Sequence, residues 1–130
     1  MGRAMIEATQ RHNFILGNVK CPDVGGHDRD ADKKIEAIEK VDVLAGLLLD
    51  ELDFNRSVLV VSADHATPIS VGDHSGDAVP IMFCGRGVAA DNVTEYGERA
   101  CAAGSVGRIR GRDIVNMTTN LLAIQEKFGA

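Results

Sequence analysis

The sequence predicts an α/β fold with a mostly parallel sheet, and two observations predict it. Apolar runs without alternation, above all Val58-Leu59-Val60-Val61, have the character of strands covered on both faces. A long amphipathic pattern separates that run from an earlier one at Phe14-Ile15-Leu16 and Val19. Strand, helix and strand in that order make a right-handed crossover, which sets the two strands parallel and aims their carboxyl ends at one edge. The 130 residues suffice for one domain with a core, spanning residues 1-130, and 45% hydrophobic with 25% charged residues is ordinary globular composition.

The elements follow in order. Met1 to His12 can form a helix with Met5 and Ala8 on one face. Phe14 to Val19 is expected as a buried strand closed by Cys21-Pro22, with Asp23 opening the loop behind it. From Asp30 to about Leu52, Ile35, Ile38, Val41, Ala45, Leu48 and Leu52 recur at spacings of three and four among charged residues, the strongest helical pattern in the chain. Asp30 or Asp32 can cap it. Val58 to Val61 is the next strand and Val79 to Cys84, introduced by Pro80 and ended by Gly85, a third. A short helix is expected over Glu95 to Ala103, an arginine-rich turn over Gly107 to Gly111, and a last helix from Asp113 to Gln125 burying Ile114, Val115, Met117, Leu121, Leu122 and Ile124.

Fourteen Lys and Arg stand against 19 Asp and Glu, a formal net charge of -5. That balance argues against nucleic acid and against an anionic membrane as partners. The three cysteines, Cys21, Cys84 and Cys101, are odd in number and widely spaced, as in a reducing, cytoplasmic compartment. Cys21 is expected as a small buried hydrophobe. Neither a signal peptide nor a membrane span is expected from the apolar runs.

Chemistry concentrates in the loops behind the expected strands. Asp23, His27, Asp64, His65 and His74 are all of metal-ligating type, and on the expected sheet their loops share an edge. A single Asp-His pair in a loop is commonly only solvated, but three of the four histidines fall at such loops with a carboxylate nearby. Mixed carboxylate and imidazole ligation suits zinc, manganese or iron better than calcium, and five ligands could hold two ions. His12 reads as a surface residue, and Asp28, Arg29 and Asp30 as a helix start. Asp77 could orient the His74 imidazole or merely form a turn with Gly76. Arg108, Arg110 and Arg112 form either a solvated basic turn or a site for phosphate or carboxylate.

Four blocks, VKCPDVGGHDRD at Val19 to Asp30, VVSADHATP at Val60 to Pro68, DHSGDAVPI at Asp73 to Ile81 and ERACAAGSVGRIRGRD at Glu98 to Asp113, give the chain a family resemblance. From about Phe14 to Lys127 it resembles the carboxyl-terminal part of the archaeal-type cofactor-independent phosphoglycerate mutases, of the alkaline phosphatase superfamily. The resemblance implies a three-layer α/β/α architecture, here a partial domain, and a phosphoryl transfer between 2-phosphoglycerate and 3-phosphoglycerate through an enzyme phosphoserine. It implies two divalent ions, manganese or zinc, without an organic cofactor. Asp23, His27 and His74 correspond to the ligands of one, Asp64 and His65 to ligands of the other, and Lys20 to a lysine beside the site, where it could neutralise phosphate charge.

The family's nucleophilic serine and a further aspartate ligand belong to a longer amino-terminal part with no counterpart here, and Ser62, Ser70 and Ser75 do not take the nucleophile's place. Asn18, Ala66 and Ala78 also depart from the residues expected in relatives. A homo-oligomer, or association with an amino-terminal part, is therefore expected, since a sheet cut from a larger one exposes an edge. The alternatives are a phosphomonoesterase of the same superfamily and a catalytically silent domain binding metal or a partner. Thiamine-dependent decarboxylation is set aside because its GDG signature is absent. Of the two ion sites, the one containing His74 is expected to fill first.

Overall fold

The computed structural model describes residues 1-124. In order they form α1 (Gly2–Ala8), α2 (Cys21–His27), α3 (Ala31–Glu51), β1 (Val58–Ser62), β2 (Ile81–Gly85), α4 (Glu98–Cys101) and α5 (Asp113–Leu121). The chain divides into two compact units, one of Met1–Leu52 with His65–Asp77, the other of Asp53–Asp64 with the residues from Ala78 onward.

The first unit is built around α3. Asp30 caps it as expected, its side chain accepting a hydrogen bond from the Lys33 amide at 2.9 Å. Ala37 and Leu48 are its buried residues, and α1 lies along it with an Arg3–Glu51 ion pair tying their ends. Against α3 packs α2, and the approach is close because of Gly25: a Cβ there would stand 2.8 Å from the Lys34 backbone nitrogen. Pro22 lies in the first turn of α2, where the missing amide hydrogen has no intrahelical partner to lose.

That helix corrects two expectations. Phe14 to Val19 is not a strand, and Phe14 and Leu16 are 70% and 80% exposed. Gly17-Asn18 interrupts the apolar run, and a strand exists only against a partner, which no described residue supplies. Nor does Asp23 open a loop: the proline that closes the run starts a helix. Cys21, expected to be buried, is exposed at its beginning.

The second unit holds the sheet. Strands β1 and β2 pair antiparallel, from Val58 opposite Gly85 to Ser62 opposite Ile81, with Leu59 and Phe83 buried. Among the described residues no parallel pair forms, because β1 pairs with the strand that follows it and not with the segment before α3. Helices with a small sheet make this a partial α/β domain. Asp91 organises the loop before α4, its carboxylate accepting from the Val93 amide at 3.0 Å and the Ser105 amide at 2.8 Å. The arginine turn is exposed and leads into α5 through Asp113, which accepts from the Arg110 amide at 2.9 Å. Helix α5 ends at Leu121 with none of its residues buried, and Val115 and Ile124 lie 55% and 66% exposed. The expected helical end at Gln125 lies outside the described residues. No helix of the described residues is long and apolar enough to cross a membrane.

Candidate metal centre

Asp23 and His27 stand four apart on α2, so the helix places carboxylate and imidazole on one face. Facing them in the same unit is the excursion of residues 65–77, closed by an antiparallel bridge between Ala66 and Ser75 and by a turn in which the Gly72 amide donates to the Pro68 carbonyl at 2.8 Å. His65 and His74 flank that bridge, and their rings stack with centroids 3.6 Å apart.

Asp23 Oδ1 is the common point. It lies 3.4 Å from His27 Nε2, 3.8 Å from His74 Nε2 and 4.0 Å from His65 Nδ1. His27 Nε2 and His74 Nε2 are themselves 3.3 Å apart. Ligand atoms of a tetrahedral zinc site with bonds of roughly 2.0–2.1 Å stand roughly 3.3–3.4 Å from one another. The triangle of Asp23, His27 and His74 is therefore close to the size one such ion requires. Asp73, His74 and His27 form a second convergent group, and Asp23, His65 and His74 a third.

Tautomer supports the same chemistry. His27 Nδ1–H donates to the Gly72 carbonyl at 3.2 Å, which leaves a lone pair on Nε2 in the neutral ring. That lone pair faces a carboxylate oxygen and a second imidazole nitrogen, an arrangement satisfied by a positive charge between them. Gly72 has φ +70 and packs against the Arg29 side chain, which donates to the Val71 carbonyl at 2.9 Å. A non-glycine residue would be strained there and would displace the His27 acceptor.

The Asp23 carboxyl is held below the usual carboxylate value, first by the Thr67 hydroxyl at 2.7 Å and then, against partial desolvation, by the three neighbouring imidazoles. A carboxylate kept ionised is a competent ligand across the neutral range. Thr67 itself is 4% exposed, and its carbonyl accepts from Lys34 Nζ at 2.6 Å.

A family model described as the metalloenzyme superfamily matches residues 1–121. The chain belongs to the metalloenzyme superfamily. This superfamily member is 40% identical over 125 residues to a 2,3-bisphosphoglycerate-independent phosphoglycerate mutase of Thermococcus kodakarensis, covering 96% of this chain and 30% of that protein. It is 46% identical over 122 residues to a protein of the same description from Methanosphaera stadtmanae, covering 94% of this chain and 29% of the relative. A solved structure of a Pyrococcus horikoshii protein superimposes with a TM-score of 0.96 at 39% identity, over 99% of this chain and 39% of that one. The chain thus spans about three-tenths of the length of these curated relatives. Its partial α/β domain is of the alkaline phosphatase-like, metalloenzyme type, and divalent metal chemistry goes with the superfamily.

Within this metalloenzyme-superfamily chain, four of the expected ligands, Asp23, His27, His65 and His74, come together in one unit. Asp64 is exposed and falls in the other unit. Lys20 is the exposed residue before α2, and among the described residues its side chain does not enter the hydrogen bonds or ion pairs of the cluster. Asp77 accepts from the Ser75 hydroxyl at 2.7 Å, which makes it a turn residue. Sequence reasoning passed over Thr67 and assigned no role to Asp73. Thr67 could have been noticed as a hydroxyl two residues past His65 and directly before a proline.

Proposed function

We propose that this chain carries the metal-binding part of a phosphoryl-transfer enzyme of the phosphoglycerate mutase type. The convergence of Asp23, His27 and His74 donor atoms at 3.3–3.8 Å carries the proposal, and identities of 37–46% to archaeal mutases supply the reaction class. Asp23, His27 and His74 would hold one manganese or zinc ion, and Asp64 with His65 would contribute to a second. Bound there, such ions polarise phosphate oxygens and lower the pKa of an attacking hydroxyl. Asp23 supplies anionic charge, and the Gly72 carbonyl keeps His27 Nε2 directed at the site. The substrates would be 2-phosphoglycerate and 3-phosphoglycerate, with Lys20 near the phosphate. The serine that carries the phosphoryl group has no counterpart in this chain, so turnover would require association with a further part of the fold; a homo-oligomer would be an association without turnover. A cytoplasmic location belongs to the same proposal and agrees with three unpaired cysteines.

Metal titration followed by calorimetry tests the site. Wild-type chain should take up zinc or manganese with one tighter site, His74→Ala should lose that site, and Asp64→Ala should retain it while losing the weaker one. Unchanged stoichiometry in both variants would falsify the assignment. A second function, a catalytically silent metal-binding domain, is favoured by the same completeness of the first ligand triangle within one unit. Mutase assay of the metal-loaded chain, alone and mixed with the part of the Pyrococcus horikoshii protein outside the matched region, separates the two: activity that appears only in the mixture supports the enzyme reading, and none in either supports the silent domain.

A further inference from the structure

We propose that Thr67 is a positioning residue whose single hydroxyl fixes both the Asp23 rotamer and the His65 tautomer, joining the two groups of ligands. It rests on the metal-site proposal only for its effect on affinity. The Thr67 hydroxyl lies 2.7 Å from Asp23 Oδ1 and 3.2 Å from His65 Nδ1. A hydroxyl has one hydrogen to give, and an ionised carboxylate can only accept. The hydrogen therefore points to Asp23, in the shorter, charge-assisted bond. Thr67 Oγ1 is left with lone pairs toward His65, so His65 Nδ1 must be the protonated nitrogen that donates to it. In the neutral ring His65 then has its lone pair on Nε2, the tautomer that the Gly72 carbonyl sets in the neutral His27 ring.

The chain of donors runs His65 Nδ1–H to Thr67 Oγ1–H to Asp23 Oδ1. Both ends are side chains of metal-ligating type, one assigned to each ion. The hydroxyl is well held: Thr67 is 4% exposed, Lys34 Nζ anchors its carbonyl at 2.6 Å, and its side chain packs on Gly26, where any Cβ would run into it. Serine at this position would keep the hydroxyl and lose the methyl. Valine would keep the shape and lose the hydroxyl.

The experiment compares wild type, Thr67→Val and Thr67→Ser, each checked for helical content by circular dichroism. Nitrogen-15 correlation spectra of the metal-free proteins at about pH 8, above the ordinary imidazole range, report the His65 tautomer. The Nδ1-protonated form should dominate in wild type and Thr67→Ser, and mixed tautomers should appear in Thr67→Val. Zinc affinity should fall roughly 10–100-fold in Thr67→Val, as for other outer-shell partners of metal ligands, and recover most of that in Thr67→Ser. A His65 tautomer unchanged by valine overturns the proposal. So does an equal loss of affinity in both variants, which would point to the packing of the methyl. If wild type binds no zinc, the metal-site proposal fails while the tautomer comparison still decides the role of Thr67.

Discussion

Asp23, at the scale of single residues, shows how few atoms the candidate site depends on. Its Oδ1 meets one hydroxyl and three imidazoles, and the hydroxyl belongs to a residue wedged against a glycine. Gly26→Ala should therefore do more than disturb packing. A methyl at Gly26 would strike the Thr67 backbone oxygen and side chain, so the variant should lose about 1–3 kcal/mol of stability, the usual cost of overpacking, and weaken metal binding with it. Equilibrium denaturation alongside zinc titration checks this, and an affinity left at the wild-type value would separate the wedge from the site. The residues that come together were legible in the sequence because Asp and His in Gly-rich surroundings are a specific chemical pattern. The Thr67 contact was not, since it depends on a spatial approach between residues 44 apart in the chain.

Elements were legible where a periodic pattern was long. Helix α3 lies where the spacing of Ile35, Ile38, Val41 and Leu48 places it, and β1 and β2 match their apolar runs. The segment at Phe14 to Val19 failed because four apolar residues do not distinguish a paired strand from an exposed extended stretch. α2 was missed because a proline that ends one element also begins another. Pairing direction failed for a related reason: periodicity defines strands one at a time, and their partners are a tertiary choice. In the second unit, the loop that leads to α4 is held by Asp91, whose carboxyl lies below its ordinary value because the Ser105 and then the Val93 amides donate to it. A depressed carboxyl contributes stability that is present above the unfolded value of about 3.9 and lost as pH falls through the folded one. Asp91→Asn should accordingly be less stable than wild type at neutral pH, and the gap should close on acidification. Denaturant midpoints between about pH 3 and 7 measure it, and a gap independent of pH would argue against the carboxylate.

For the whole molecule, the exposed apolar positions govern behaviour in solution. Phe14 and Leu16 lie on a stretch whose backbone makes no strand pairing among the described residues, so it is open to an added strand. The proposed association should be visible by sedimentation, as a homo-oligomer or as a complex with the part of the Pyrococcus horikoshii protein outside the matched region. The double variant Phe14→Lys with Leu16→Lys should abolish it, whereas Ile35→Lys on α3, also exposed, should not. A wild-type chain that stays monomeric in both settings would count against it. The candidate centre has one more consequence, which follows from where its ligands come in the chain. His27 and His74 are 47 residues apart, and the stretch between them leaves the first unit after Leu52 and returns at His65. An ion shared by these two side chains would act as a reversible crosslink closing that long loop, removing freedom mainly from the unfolded chain as a disulfide does. In a chain whose cysteines are all unpaired, metal supply would then set how long the fold persists, so that a chelator would act as a reductant acts on a secreted protein.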